Sequence, residues 1–463
     1  MKNATAVLAA VVVAASAAVA APTGCAKEAP SGGAGGGSDG ASGTGSTTSS
    51  SASTSGTSGA GGAGGGGGVR GIARFPATSS AIGVLVDQLP GGLSAAQIQL
   101  AATRFAGSRK LTLSISAPLR AINPGFVVLH DHLAMWQPAP GTTFILDGKN
   151  LGNDYSKVGG HESWFWHTTG GQRVTSVVDG KWLMNVADPG FQGYWIQSIA
   201  QQITAGEYDG VLLGSASPVL LQSEAQAPPE PRLTGTGARD NVIPELGNKT
   251  FIQAWTAWIV TLDAALGSKA LALIPAVGPG ITSWDTTPYD LTAGAFSEGY
   301  ADPAFAEADW ARSTNLLLSL AAKGKIVILQ NTLSAPDDVA RRMYYLANYL
   351  LVRGNRSYLD YFAAGPMEWY PEWGLELGAA TSTGAKVDDL LKDGVYRRDF
   401  EKGIVLVNPT SSPVTVALGK TMQRVVPSGG GAVEADGVAK GTITTTSVTS
   451  VDVAARGAEI LIQ

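Results

Sequence analysis

From Ala81 onward, short apolar runs rich in β-branched residues alternate with longer stretches of helical periodicity. Such alternation is typical of βα units arranged around a parallel sheet. Because a (β/α)₈ barrel needs eight strands, one of the runs predicted as strands is expected to lie outside the barrel. An open doubly wound sheet is the alternative fold, but no Gly-rich phosphate loop follows the first strand. The predicted strands are residues 82–89, 110–116, 126–133, 181–186, 208–214, 270–277, 294–298, 325–331 and 356–362.

Five stretches between these runs carry an apolar stripe at helical spacing. Ser94 is the first residue of the first stretch and is predicted as its N-cap. The predicted helices cover residues 94–106, 193–204, 250–266, 303–322 and 337–352.

The pattern changes at Gly394, where tryptophan disappears and Val, Thr, Ser and Gly form short alternating runs. Strands are predicted at residues 403–407, 414–418, 441–448 and 459–462, and residues 408–413 are predicted as the turn of a hairpin that joins the first two. The sequence therefore predicts an α/β protein, with a TIM-type barrel at residues 69–393 and a small antiparallel β-sandwich at residues 394–463.

The first 68 residues show neither the alternation typical of strands nor the apolar spacing typical of helices. Lys2 and the small apolar run at residues 6–21 predict a signal peptide, too short for a membrane span. Cleavage after Ala20 is one interpretation. We favour lipid attachment at Cys25, the only cysteine, which places the lipoprotein signal at residues 1–25. Residues 26–68, rich in Gly and Ser, are predicted to be a flexible linker. The expected location is a bacterial cell surface or outer membrane, reached through the lipid, or the secreted fraction.

The charge balance limits the partners. The chain has 32 Lys and Arg against 37 Asp and Glu, a formal net charge of -5. It lacks the basic surplus that would neutralise a phosphate backbone, so nucleic acid is not an expected partner. A single cysteine excludes an internal disulfide and a thiolate zinc cluster. We expect a monomer without a cofactor.

All eleven tryptophans lie between residues 136 and 373, and several follow predicted strand ends. An indole offers a flat apolar face to a sugar ring, although core packing is the alternative for each of them. The candidates for substrate binding are Trp136, Trp164, Trp284 and Trp369.

Histidines and carboxylates supply the candidate chemistry. His130 and His132 share one face of a predicted strand, but no histidine follows His167, so a catalytic metal is not expected. His130 is predicted to form hydrogen bonds at the barrel mouth instead. Carboxylates at strand ends stand where barrel enzymes place their sites. These carboxylates are Asp87, Asp131, Asp188, which is also a candidate helix N-cap, and Glu298, which follows a run of small residues.

Several phrases of the sequence, taken in order, resemble the hypothetical glycosyl hydrolase-like families of extracellular (β/α)₈ proteins, most closely the fifteenth of that series. The resemblance covers most of residues 80–410. It implies a glycoside-bond hydrolase with an appended β domain. The matching phrases are residues 123–130, 161–165, 208–213, 294–299, 370–378 and 396–409.

One position departs from the family pattern. In such families the strand at residues 208–213 ends in a catalytic aspartate, but here that position is Gly214. Asp209 lies about 16 Å away, at the other end of the strand. Glu298 is retained. Since glycoside hydrolysis needs two carboxyl groups about 5–10 Å apart, the second one must come from elsewhere. The candidates are Asp188, or Glu224, Asp240 and Glu245 in the loop that follows.

The sequence thus predicts a glycoside hydrolase acting on an extracellular polysaccharide or glycoconjugate, with Glu298 and Asp188 as its catalytic residues. A catalytically degenerate, carbohydrate-binding surface lipoprotein is the alternative. A third class is a structural or adhesive surface protein that uses the β-sandwich. Besides the tryptophans above, the predicted substrate-binding residues are Asp87, His130, Gln330 and Glu372.

Overall fold

Eight parallel strands form a barrel in the computed structural model, which describes residues 71–463 apart from 143, 147–148, 169, 177–178, 204–205, 220–247, 270, 279–286, 364 and 366. Each strand pairs with the next, the last pairs with the first, and β5 meets β6 through a bridge between Ala276 and Phe296. The predicted barrel is confirmed. Its strands are β1 (Gly83–Leu89), β2 (Gly107–Leu111), β3 (Val127–Leu133), β4 (Gly210–Gly214), β5 (Ala272–Pro275), β6 (Gly294–Glu298), β7 (Ile326–Thr332) and β8 (Ser357–Phe362).

The longer helices lie around this barrel. They are α1 (Ala95–Arg104), α2 (Leu113–Ile122), α3 (Pro189–Gln202), α4 (Phe251–Leu266), α5 (Glu307–Ala322) and α6 (Val339–Val352). Ser94 caps α1 as predicted, in a reciprocal pair of hydrogen bonds with Gln97. The predicted strand at residues 110–116 is wrong over its second half, which belongs to α2. Ile115 and Leu119, four residues apart, are buried residues of that helix.

A long insertion connects β3 to α3. It contains a two-stranded pair of Trp136–Gln137 with Trp182–Leu183, so the predicted strand at residues 181–186 is the one outside the barrel. It also contains a hairpin of Ile145–Leu146 with Lys149–Asn150, a helical turn at Tyr155–Val158 and a 3₁₀ turn at Glu162–Trp164. Across the described ranges, no helix is both long and apolar enough to cross a membrane.

Alternate residues of each strand fill the barrel. Leu85, Leu129, Leu212, Phe296 and Tyr358 belong to one buried cluster, with Ile274 and Ile328. Because side chains alternate along a strand, the residues two positions further on also point inward, at the C-terminal end of the barrel. We call this set the mouth layer. It consists of Asp87, Arg109, Asp131, Gly214, Ala276, Glu298, Gln330 and Asp360.

The opposite end of the barrel is closed by the segment before β1. Phe75 is buried in the same interior cluster, with its ring centroid 6.0 Å from that of Tyr358. The Tyr358 hydroxyl donates to the Pro76 carbonyl, and Arg74 Nη1 lies 3.4 Å from Asp209 Oδ1. Asp209 precedes β4 and also binds Arg120. It therefore stabilises the end of the barrel away from the mouth layer.

An antiparallel sheet follows the barrel. Its strands are Leu391–Lys392, β9 (Val395–Phe400), β10 (Gly403–Asn408), β11 (Val414–Ser428), β12 (Thr442–Val453) and β13 (Gly457–Ile462). Hydrogen bonds join all six into one sheet, in the order Leu391–Lys392, β9, β10, β13, β11, β12. The predicted antiparallel arrangement is confirmed. The strands form one sheet, however, and not the two stacked sheets of the predicted β-sandwich.

The predicted hairpin between residues 403–407 and 414–418 is wrong, because β13 lies between β10 and β11. Asn408 fixes this crossing, since its side-chain amide donates to the carbonyls of Ser412, Val453 and Ala454. All residues of β10 are buried. One face of β10 belongs to the cluster that includes α6, and the other to a separate cluster with β11 and β12.

Candidate active site at the barrel mouth

A charged network occupies one side of the mouth layer. Arg109 Nε donates to Asp87 Oδ1, and Arg109 Nη1 lies 3.7 Å from Asp131 Oδ2. Lys110 Nζ lies 3.3 Å from Asp87 Oδ1 and 4.0 Å from Asp131 Oδ2. Burial by itself would raise the pKa of Asp87, but the charges of Arg109 and Lys110 hold that pKa well below its usual range.

Arg109 extends across the barrel towards β6. Its guanidinium carbon lies 4.5 Å from the centroid of the Phe296 ring, and its charge interacts with that of Glu298. β2 and β6 are four strands apart in the eight-stranded barrel, so this side chain bridges opposite walls. Glu298 itself is exposed at the end of β6, and its backbone N–H donates to Gly278. The guanidinium therefore links the carboxylates of the two sides electrostatically.

The wall between Asp131 and Glu298 carries only small side chains at this level. The mouth-layer positions there are Gly214 on β4 and Ala276 after β5. The barrel wall thus contributes nothing larger than a methyl group to the arc between these two carboxylates.

The other arc is filled by polar groups. Asp360 Oδ2 accepts a 2.7 Å hydrogen bond from the Asp87 backbone N–H, and Asp360 is buried. Burial and the charge of Asp87 raise the pKa of Asp360 well above its usual range, because both disfavour the ionised carboxylate. Gln330 lies between Glu298 and Asp360 in the strand register. Gln330 is also buried, and its amide oxygen and nitrogen have no hydrogen-bond partner in the described part of the chain.

Gly214, where the family resemblance implies an aspartate, is closely packed. A Cβ at this position would lie 3.1 Å from the His132 carbonyl oxygen and 3.1 Å from Leu133 Cα. Both atoms belong to the backbone of β3, which can yield only by shifting a barrel strand.

We expect Gly214→Ala to be less stable than Gly193→Ala by about 1–3 kcal/mol, because a side chain forced against packed backbone is destabilising. Gly193 is the matched control, since it lies on α3 with open space where the alanine methyl group would stand, and the substitution gains helix propensity. Urea denaturation of the two variants measures the difference. Equal stabilities would show that β3 yields freely and that an aspartate could be accommodated at position 214.

The structure does not place His130 at the mouth, where the sequence predicts it. Strand alternation points Asp131 inward and both His130 and His132 outward, towards α3. The two imidazoles stack at 5.8 Å, His130 packs on Tyr208, and His132 packs on Trp195. Burial lowers the pKa of His130 to about 3 and that of His132 to about 4. Both are neutral packing residues at pH 7.

Asp188 is the N-cap of α3. Its Oδ1 accepts hydrogen bonds from the backbone N–H groups of Gly190 (2.8 Å) and Phe191 (3.1 Å). The alternative interpretation of Asp188 as a helix cap therefore describes its contacts, and these contacts do not join it to the mouth layer.

The structure buries several of the residues that the sequence predicts to bind substrate. Trp136 is 7% exposed, and Trp369 is 6% exposed against Phe105 and Trp373. Glu372 is fully buried in an ion pair with Arg342. None of the three presents a surface to a ligand.

Trp164 is half-buried beside α3. Its ring stacks on His161 at 4.1 Å and contacts Tyr194 at 5.6 Å, so His161 occupies the position a sugar ring would take on that indole. Other predicted residues lie outside the described part of the chain. They are Trp284, Cys25, Glu224, Asp240 and Glu245.

Arg109 and Asp360 are mouth-layer residues that sequence reasoning misses. The predicted second strand begins at residue 110, which leaves Arg109 in a loop. Asp360 stands inside an apolar strand, Ser357–Phe362, where nothing marks it as inward-facing. The signal that could have found them is the alternation of inward and outward side chains along a strand. Arg109 and Asp360 both stand at inward-facing positions at the mouth end of their strands. In the described residues, no group of three or more His, Cys, Asp or Glu is arranged to hold a metal ion.

A barrel with carboxylates in its mouth layer is a common architecture of enzymes that act on small and polymeric substrates. Residues 120–404, more than half of the chain, match the family model described as hypothetical glycosyl hydrolase family 15. The chain belongs to this family, which confirms the resemblance found in its sequence.

Solved structures with a related fold include three glycoside-processing proteins. A noncanonic maltogenic α-amylase from Thermotoga neapolitana is 10% identical with a TM-score of 0.38, over 82% of this chain and 99% of that one. Trehalose-6-phosphate hydrolase from Bacillus licheniformis is 10% identical with a TM-score of 0.40, over 83% and 99%. α-L-Fucosidase isoenzyme 2 from Paenibacillus thiaminolyticus is 11% identical with a TM-score of 0.37, over 61% and 46%. No substrate follows from these likenesses. A comparison with curated proteins finds no match.

Proposed function

We propose that this protein hydrolyses a glycosidic bond of an extracellular polysaccharide or glycoconjugate at the barrel mouth, with Glu298 and Asp131 as its carboxyl pair. One observation carries the proposal: Asp131 and Glu298 flank the arc in which Gly214 and Ala276 leave the wall free of larger side chains. Membership of a glycosyl hydrolase-like family supports the reaction class. Asp131 takes the place expected for Asp188, whose carboxylate caps α3.

The environments of the two carboxyl groups suggest different roles. Asp131 lies beside the cations of Arg109 and Lys110, which suits a nucleophile or general base, since either must be ionised. Glu298 is exposed at the end of β6, without an ion pair in the described residues, which suits a group that gives and takes a proton. Both side chains point inward from strands three positions apart. This arrangement is compatible with the roughly 5–10 Å between carboxyl groups that such reactions require.

Gln330 is proposed to bind the sugar. A buried amide with neither donor nor acceptor satisfied is costly, and a sugar hydroxyl can satisfy both of its groups. Asp87 is proposed to orient Arg109 rather than to contact the substrate. The signal-like residues 1–25 and the lone Cys25 support placement at a bacterial cell surface or in the secreted fraction.

Turnover assays on a panel of aryl glycosides and polysaccharides test the proposal. Glu298→Gln and Asp131→Asn are each expected to lower turnover at least about a hundredfold while oligosaccharide affinity persists, because only proton transfer or nucleophilic attack is lost. Glu376→Gln is the matched control, since that side chain is 86% exposed and pairs only with Lys402 in the described residues.

Full turnover in either mouth variant would refute that residue's assignment. Glycan binding without turnover by the unmodified protein would favour the second candidate, a carbohydrate-binding protein that has lost catalysis. The specific observation behind that candidate is Gly214, where the family's catalytic aspartate is expected.

A further inference from the structure

A cavity of about 500 Å³ lies between α6 and the C-terminal sheet, and no mouth-layer residue lines it. The first turns of α6 form one wall. The end of β11 and the residues from Ala454 to Glu459 form the other. The volume lies within the range of sites that bind small molecules.

The lining carries more positive than negative charge, in a chain whose net charge is -5. Its arginines are Arg341, Arg424 and Arg456, and its carboxylates are Asp338 and Glu459. Arg424 is neutralised by a two-pronged ion pair with Glu459, at 2.7 and 2.6 Å.

The other two arginines form no ion pair in the described residues. Arg456 donates to the backbone carbonyls of Pro303 and Phe305, which are uncharged. The Asp338 carboxylate accepts from the backbone N–H of Arg341 as the cap of α6. The Arg341 guanidinium contacts the Tyr345 ring at 6.0 Å, and in the described residues it has no ion pair. The cavity therefore presents cations suited to an oxyanion.

The rest of the lining is apolar, with Val425, Pro427, Ala454, Ala458 and Met343. An apolar floor with guanidinium groups at its edge complements a ligand that has both C–H faces and a carboxylate. Among carbohydrates, a uronic acid has this combination.

The cavity lies at the mouth end of α6. Gln330 belongs to the C-terminal part of β7, and α6 begins after the short connection at residues 333–338. The start of α6 therefore lies at the same end of the barrel as the mouth layer.

We propose that this cavity binds a uronic acid unit through its carboxylate, and so holds a distal part of the glycan that the mouth processes. The choice of a glycan rests on the proposed function, whereas the choice of an anion rests on the cavity itself.

Calorimetric titration of the full-length Glu298→Gln variant tests the inference, because that variant binds without turnover. The probes are tetramers of galacturonate, glucuronate, mannuronate and guluronate, with neutral tetramers of galactose, glucose and mannose as counterparts. At least one uronate is expected to bind ten times more tightly than its neutral counterpart. Adding Arg341→Met is expected to weaken that binding at least tenfold, and adding Arg341→Lys by less.

Arg312→Met is the matched control, since it removes an equal charge from a half-exposed side chain on α5 that pairs with Asp309. Equal weakening by Arg312→Met and Arg341→Met would overturn the inference, as would the absence of any uronate preference. Inorganic phosphate or an acidic peptide that competes at the same concentration would overturn the sugar assignment. Failure of the proposed hydrolysis is a separate result, namely no turnover by the unmodified protein.

Discussion

Replacing Glu372 with alanine is expected to lower the free energy of unfolding by about 3–5 kcal/mol. Arg342 and Glu372 are both fully buried and joined by two hydrogen bonds, of 2.8 and 3.2 Å. Tyr361 donates a further 2.8 Å bond to Glu372. Truncation leaves the guanidinium of Arg342 in the core without a counter-ion, and the cost of burying an unpaired charge exceeds that of losing the pair. Urea denaturation followed by tryptophan fluorescence measures the change.

Two comparison variants isolate the buried charge as the cause. Glu376→Ala breaks an exposed ion pair with Lys402 and should change stability by less than about 1 kcal/mol. The double variant Arg342→Met with Glu372→Leu removes both charges and should be more stable than Glu372→Ala alone. A Glu372→Ala variant as stable as the unmodified protein would contradict the account. Arg342 also donates to the carbonyl of Gly429, which directly follows β11. Because Glu372 holds Arg342 in place, Glu372→Ala should also weaken the attachment of the C-terminal sheet to α6.

Acidification from pH 7 to pH 4 is expected to cost several kcal/mol of stability through His130 and His132. Burial lowers the pKa of His130 to about 3 and that of His132 to about 4, against about 6.5 in the unfolded chain. Below pH 6.5 the unfolded state therefore binds more protons than the folded state. The stabilisation is complete above pH 6.5 and is lost progressively as the pH falls towards the folded-state values. Each unit of difference corresponds to about 1.4 kcal/mol.

Urea denaturation at a series of pH values, repeated with His130→Phe and His132→Phe, measures this contribution. Each variant should show a shallower loss of stability between pH 6.5 and 4, since it lacks one of the two groups that take up a proton on unfolding. His161→Phe serves as control, because that residue is exposed on the insertion. Identical pH profiles for all variants would mean that acid stability is set by other groups.

The barrel is predictable because its signal is repeated. Alternating apolar runs and helical stripes recur along the chain, so one error does not change the result. The one error in the barrel strands is the strand predicted at residues 110–116. The apolar positions after Leu111 fit either a strand or a helix, and the structure has the helix α2 there. In the structure, Ile115 and Leu119 pack at helical spacing.

The site is harder to predict, because both faces of a barrel strand are buried. The segment Val127–Leu133 carries His130, Asp131 and His132 in a row, and the sequence does not reveal which parity faces the interior. Strand pairing in the C-terminal sheet is equally hidden. The alternation of residues in β10 and β11 is compatible with a hairpin, yet the chain terminus inserts β13 between them. Such choices depend on contacts between residues far apart in the chain.

Phe75 closes the end of the barrel opposite the mouth layer, which decides where the protein can be attached to a support. Gly71 lies against the start of β5, at the closed end of the barrel, so a support coupled at that residue attaches on the side opposite Glu298 and Asp131. A biosensor chip, bead or fusion partner coupled there leaves the mouth layer facing the bulk solution. Insoluble polysaccharide fibres could then still reach the mouth layer from the solution. Coupling through Gln463 instead would place the support beside the C-terminal sheet.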